Sequence, residues 1–190
     1  GDNEFNSPGG VAVSGTAYIY VADSKNNRIK AYTPSGVFKF SWGIAGSGDG
    51  QFNNPIGVAA DGAGNVYVAD LLNDRIQKFD ANGGFLLTWG TMGTGDGQFQ
   101  RPSGVATDPS GHVYVADTSN DRIQKFDASG GFLTKWGGTG TGDGQFHSHT
   151  SVASDGGGNV YVADTASCRV RKISGGNIAT IAGTALATGL

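Results

Sequence analysis

Val66-Tyr67-Val68-Ala69-Asp70, a gap of four residues, then Arg75-Ile76-Gln77-Lys78-Phe79: these two short runs decide the fold. The first is rich in valine and small residues, as expected for a strand buried on both faces. The gap ends in the turn-forming pair Asn73-Asp74, and the second run resumes extended chain. Working outward, Gly57–Ala60, Asn65–Ala69, Arg75–Phe79 and Phe85–Trp89 form a set of four strand candidates. The last alternates, with Phe85, Leu87 and Trp89 on one side, just as Phe38, Phe40 and Trp42 alternate with Lys39 and Ser41. Asp61-Gly62-Ala63-Gly64 follows the first strand and Asn82-Gly83-Gly84 the third, both with turn chemistry. No segment has a helical period, so the reading is all-β.

The set recurs. Val-Ala-Asp stands at Val21–Asp23, Val68–Asp70, Val115–Asp117 and Val162–Asp164, each 47 residues after the one before. Arg28, Arg75, Arg122 and Arg169 keep the same step, as do Phe5, Phe52, Phe99 and Phe146. Trp42, Trp89 and Trp136 follow it too, but the fourth repeat lacks one residue near Gly176 and has Ala182-Gly183 in place of Trp-Gly. Residues 48–94 and 95–141 agree at 33 of 47 positions, so both repeats must meet the same structural demands. Four strands in a unit of this length describe a propeller blade. Residues 1–190 then form one domain, with blades at about 1–47, 48–94, 95–141 and 142–190.

Gly-Asp-Gly-Gln-Phe, Pro-x-Gly-Val-Ala, Val-Tyr-Val-Ala-Asp, Asn-Asp-Arg-Ile-Gln-Lys-Phe and Phe-Leu-x-x-Trp-Gly together resemble the NHL-repeat family. The match runs almost without gaps through residues 48–90 and 95–137, and WD40 and kelch patterns fit poorly. The resemblance implies a toroidal β-propeller, usually of six blades. Only four repeats are present here, and each blade is complete within its own repeat. No strand is left over to close a ring by sharing a blade. A closed four-bladed ring, part of a larger propeller and an open array all fit; the stop at a repeat boundary favours a four-bladed domain.

Composition narrows the partners. Thirty-four glycines accompany 10% aromatic residues and only 15% charged ones, which means many tight turns between short strands rather than a disordered linker. A net charge of −3 gives no pull toward nucleic acid or acidic membranes. No apolar run approaches the roughly 18 residues of a membrane span, so no membrane insertion is expected. Cys168 is the lone cysteine and excludes an intrachain disulfide. The sequence begins at Gly1, so a signal peptide cannot be sought.

Asp23/Arg28, Asp70/Arg75, Asp117/Arg122 and Asp164/Arg169 could suggest catalysis or ion binding. Yet a feature present in every blade serves what every blade must do, which is to cap a turn and dock on its neighbour. Asp49, Asp96 and Asp143, with Asp2 in the matching place, sit in glycine-rich linkers where calcium is conceivable. One carboxylate per linker falls far short of the roughly 6–8 oxygens calcium takes, so turn formation is preferred and no cofactor is expected. The linker phenylalanines should pin the linkers to the core, and the tryptophans should wedge between blades.

The histidines are not repeated. His147 and His149 form a His-x-His whose rings point to one side of an extended chain, but two ligands make no metal site, and His112 belongs to another turn. Related propeller lyases hold a metal with histidines in their channel; no matching histidine set can be carried over to this sequence. There is no Gly-x-Ser-x-Gly elbow and no P-loop. Cys168 replaces Asp121 in a polar turn and reads as incidental.

If four antiparallel strands run in sequence, the linkers and the turns after each second strand emerge on one face. That face carries the binding candidates Asn54, Leu71, Leu72, Arg101, Thr118, His147 and His149, which differ between repeats while the framework stays fixed. The reading that follows is a non-catalytic protein-interaction or structural scaffold, extracellular or at the cell surface. Its partners would be proteins, copies of itself included. The alternative is a metal-dependent lyase or hydrolase of the propeller type. RNA binding, which some family members show, ranks last, because Lys25, Arg101 and Lys135 are scattered among acids.

Overall fold

The computed structural model describes residues 4–15, 18–148 and 151–183. The chain forms four four-stranded antiparallel sheets, each with its strands side by side in chain order. The first holds β1 (Pro8–Ser14), β2 (Tyr18–Asp23), β3 (Arg28–Tyr32) and β4 (Phe38–Trp42). A short parallel pair in the first linker, β5 (Ile44–Ala45) with β6 (Gln51–Phe52), leads to the second sheet. That sheet is β7 (Pro55–Ala60), β8 (Val66–Asp70), β9 (Arg75–Phe79) and β10 (Phe85–Trp89). The third is β11 (Pro102–Thr107), β12 (Val113–Asp117), β13 (Arg122–Phe126) and β14 (Phe132–Gly137). The fourth is β15 (Ser151–Ser154), β16 (Val160–Asp164), β17 (Arg169–Ser174) and β18 (Asn177–Ala182). Among the described residues no helix is long and apolar enough to cross a membrane.

Register follows from the turns. In every blade the strand-ending aspartate stands opposite the arginine that opens the next strand: Asp23 with Arg28, Asp70 with Arg75, Asp117 with Arg122 and Asp164 with Arg169. The innermost strands pack in series, β1 on β7, β7 on β11 and β11 on β15. They do so through backbone. A Cβ on Gly57 would overlap the carbonyl oxygen of Ser103, so only glycine lets the two strands approach this closely.

Each joint between consecutive blades is one apolar cluster. The second blade offers Ala59, Tyr67, Ala69 and Ile76 from what we call its front face; the third answers with Phe99, Val105, Val113, Val115 and Phe126 from its back face. The first and third joints repeat this with equivalent residues. The wedge expected of the tryptophans is present, with Trp42 packed 5.7 Å from Phe79 of the next blade and Trp89 5.8 Å from Phe126. Phe52, Phe99 and Phe146 are wholly buried and pin their linkers.

A closed four-bladed ring, favoured by the sequence, is not what the packing shows. Val58, Val105 and Val152 are 6%, 6% and 7% exposed, whereas Val11, at the same place in the first blade, is 65% exposed. At the other extreme Val170 is 38% exposed, although its counterparts Ile29, Ile76 and Ile123 are fully covered. Among the described residues the back face of the first blade and the front face of the fourth therefore lie open, and the four sheets do not close.

Candidate functional site: the linker-side loop face

The strand-ending aspartates build this face. Asp70 is fully buried, and its Oδ1 accepts the Asn53 N–H at 2.7 Å while its Oδ2 accepts from Arg75 Nε at 2.8 Å, Asn73 Nδ2 at 2.9 Å and Gln77 Nε2 at 3.1 Å. Asp117 does the same with Gln100 N–H, Arg122, Asn120 and Gln124. Asp23 takes Asn6 N–H, Asn26 and Arg28, and Asp164 takes the His147 N–H at 2.8 Å. Burial pushes the Asp23 carboxyl up, but these donors outweigh it and hold it below the usual carboxylate range. The structural role expected of the aspartates is the one observed.

Linker and turn are thereby tied together within each blade. The Asn53 carbonyl accepts from Leu72 N–H at 3.1 Å, that of Gln100 from Ser119 N–H at 3.0 Å and that of His147 from Ala166 N–H at 3.2 Å. Successive blades are tied as well. The Asn54 N–H reaches Asn27 Oδ1 at 2.8 Å, the Arg101 N–H reaches Asp74 Oδ1 at 2.8 Å and the Ser148 N–H reaches Asp121 Oδ1 at 2.9 Å. Turn and linker alternate without a break along one face, so the geometric expectation from strand order holds.

On that rim the candidates take different places. Arg101 and His147 have exposed side chains, Leu72 is 43% exposed, and Leu71 and Asn54 are half-buried. Asn54 and Arg101 adopt left-handed backbone, with φ of 59° and 54°, which aims their N–H groups at the preceding blade. Thr118 turns inward, its hydroxyl 2.5 Å from that of Ser103. His149 lies outside the described residues, as does Asp2. His112 sits on the opposite face, its Nδ1 2.8 Å from Asp108 Oδ2.

One feature differs from what the sequence suggests. In the fourth blade the partner of Asp164 is Arg171, at 3.2 Å, rather than Arg169. Arg171 is fully buried and also donates to Thr180 Oγ1 and to the carbonyls of Thr141, Gly142 and Gln145, while Arg169 is displaced to the Thr141 carbonyl. Arg171 occupies the place of Gln77 and Gln124, whose buried amides bridge the aspartate to the Gln51 and Gln98 carbonyls. The 47-residue step through Lys30, Gln77, Gln124 and Arg171 is a readable signal for this buried polar position.

The glycine-rich linkers, for their part, fold on themselves. Gln51, Gln98 and Gln145 Oε1 accept from the N–H groups of Gly48, Gly95 and Gly142 at 3.0, 2.9 and 3.1 Å. Asp96, considered above for calcium, meets Lys135 at 2.5 Å. Among the described residues no three His, Cys, Asp or Glu side chains converge as a ligand set. The innermost strands line a cavity of about 510 Å³, walled by Gly10, Gly57, Ser103, Gly104, Ser151 and their neighbours.

The NHL repeat family model matches residues 5–32, 52–79 and 99–126. Three of the four blades carry NHL repeats. Those stretches hold β1–β3, β7–β9 and β11–β13, with the Asp–Arg turn between the last two strands of each. No curated protein sequence matches the NHL-repeat chain. Solved structures do. A streptogramin B lyase superposes with a TM-score of 0.68 at 15% identity, over 91% of this chain and 53% of the lyase. Virginiamycin B lyase from Staphylococcus aureus gives 0.66 at 13% identity, over 90% and 54%. A chain of a nidogen/laminin complex gives 0.68 at 21% identity, over 90% and 61%. The NHL-repeat chain thus spans little more than half of the lyases, and at these identities the likeness is one of fold.

Proposed function

We propose that the chain is a non-catalytic protein-interaction or structural scaffold domain, working outside the cell or at its surface. The observation that carries this reading is the unbroken rim of linkers and turns. Its backbone is fixed by buried aspartates, and its outward side chains vary from blade to blade. A rigid backbone lowers the ordering cost of binding, and varied side chains on it supply specificity. Leu72 offers an apolar contact, and Arg101 a forked donor of the kind that anchors protein interfaces. The fold likeness to a chain of a nidogen/laminin complex is in keeping with a protein partner.

The test compares the chain with a Leu72→Asp, Arg101→Ala, His147→Ala variant as bait for extracellular proteins, with mass-spectrometric readout and direct binding of each hit. The reading expects at least one partner held by the parent chain and lost by the variant. Identical retention by both would overturn it. Incubation with virginiamycin B serves as the second arm, because cleavage of that compound would replace the scaffold reading with the lyase one.

A further inference from the structure

The two open faces are the two halves of a joint that the chain already makes three times. The back face of the first blade carries Phe5, Val11, Ile19 and Val21, the counterparts of Phe52, Val58, Val66 and Val68, which are buried against a preceding blade. The front face of the fourth blade carries Tyr161, Ala163 and Val170, the counterparts of Tyr67, Ala69 and Ile76. We propose that two copies of this chain join head to tail, the first blade of one seated on the fourth blade of the other. The joint uses sheet faces rather than the loop rim, so it stands or falls separately from the scaffold reading.

The fourth blade departs from the internal joints at three places, and each departure weakens the joint without removing its apolar body. Ser151 stands where Gly10, Gly57 and Gly104 let inner strands touch; a Cβ at Gly10 or Gly104 would lie 2.7 or 3.0 Å from the next strand, and one at Gly57 closer still. Cys168 stands where Asn27, Asp74 and Asp121 accept the N–H of the next linker, the N–H that Ser7 carries in the first blade. Ala182, opposite Val170, stands where Trp89, opposite Ile76, wedges into the next blade. Association should therefore be reversible and concentration-dependent. A contact between two different faces either closes into a ring or continues as a filament, and here it does one or the other through copies of a single joint.

Sedimentation velocity over a concentration series tests the proposal on the whole 190-residue chain. The parent chain should associate reversibly. Val11→Asp, at a position already exposed, should weaken association at least tenfold. The Ser151→Gly, Cys168→Asp, Ala182→Trp variant, which restores the internal joint, should strengthen it at least tenfold. A parent chain that stays monomeric at every concentration overturns the proposal, as does association indifferent to Val11→Asp. As a check that does not depend on that variant folding, Ser7→Cys adds a second thiol opposite Cys168 across the joint. A short bismaleimide should then link separate chains into a ladder. Linking confined within single chains, or equal linking of the parent through Cys168 alone, overturns the head-to-tail arrangement.

Discussion

The joint between the second and third blades and the outer face of the fourth blade come from the same 47-residue unit, yet one is dry and the other open. At the joint, Ile76 is fully covered, Trp89 lies over Phe126, and Asp74 receives the linker N–H of Arg101. On the fourth blade the matching places hold Val170, Ala182 and Cys168, all exposed. The aspartate turn, by contrast, is kept in all four blades, and in the fourth it is rebuilt around Arg171. The difference separates two tasks that the repeat performs together elsewhere. Holding one blade's own turns needs the aspartate and its donors; docking on a following blade needs glycine, tryptophan and the turn acceptor.

The comparison can be broken first at the aspartate. Asp117→Ala leaves the largely buried Arg122 and the buried Gln124 without their shared acceptor, and should cost about 3–5 kcal/mol in urea unfolding. A cost near zero would mean the turn is held by something else. Trp89→Ala removes the wedge and should cost about 3 kcal/mol. Trp89→Phe should cost clearly less, because the Trp89 Nε1 has no acceptor to lose. Gly57→Ala drives a methyl group against the Ser103 carbonyl and should cost about 2 kcal/mol. Ser151→Gly, at the matching place on the open face, relieves no clash and should cost the monomer only the backbone entropy of a glycine, under about 1 kcal/mol.

Arg171→Gln sharpens the contrast, since it installs the residue that the second and third blades use. It should cost only about 1 kcal/mol, with Arg169 returning to Asp164. The smallest expected effect comes with acid. The Asn159 amide and N–H, with Tyr161 and Gly157, hold the Asp155 carboxyl down at about 2, against an ordinary 3.8. At Asp108 burial pushes the carboxyl up, and donors from His112 and Tyr114 outweigh it. Both values are depressed on folding, so their stabilisation is complete above the ordinary carboxylate value and is lost as pH falls through the folded one. The urea midpoint should hold steady down to about pH 5 and fall toward pH 2; a flat profile over that lower range would remove these turns from the account.

Much of the architecture is legible in the amino-acid sequence. Period, strand count and the fixed Asp–Arg step follow from residues such as Val68-Ala69-Asp70 and Arg75, because identical units must solve identical packing problems. The loop face is legible for the same reason: strand order alone puts Leu72 and Arg101 on one side. The state of the ring is not. Val11 and Val58 are the same residue in the same local sequence, and only the presence of a neighbouring sheet decides which is covered. The role of the buried Arg171 is hidden because Arg169 keeps the expected spacing, and spacing says nothing about which of two arginines a buried carboxylate will take.

The glycine-walled interior has a last consequence. Where β1, β7 and β11 meet the strand that follows, main chain stands in the place side chains would fill. Gly10, Gly57 and Gly104 carry no side chain to trim, and a bulkier residue at any of them must push the neighbouring strands apart. The width of the cavity at those places is therefore set by how closely the sheets approach rather than by the choice of side chain.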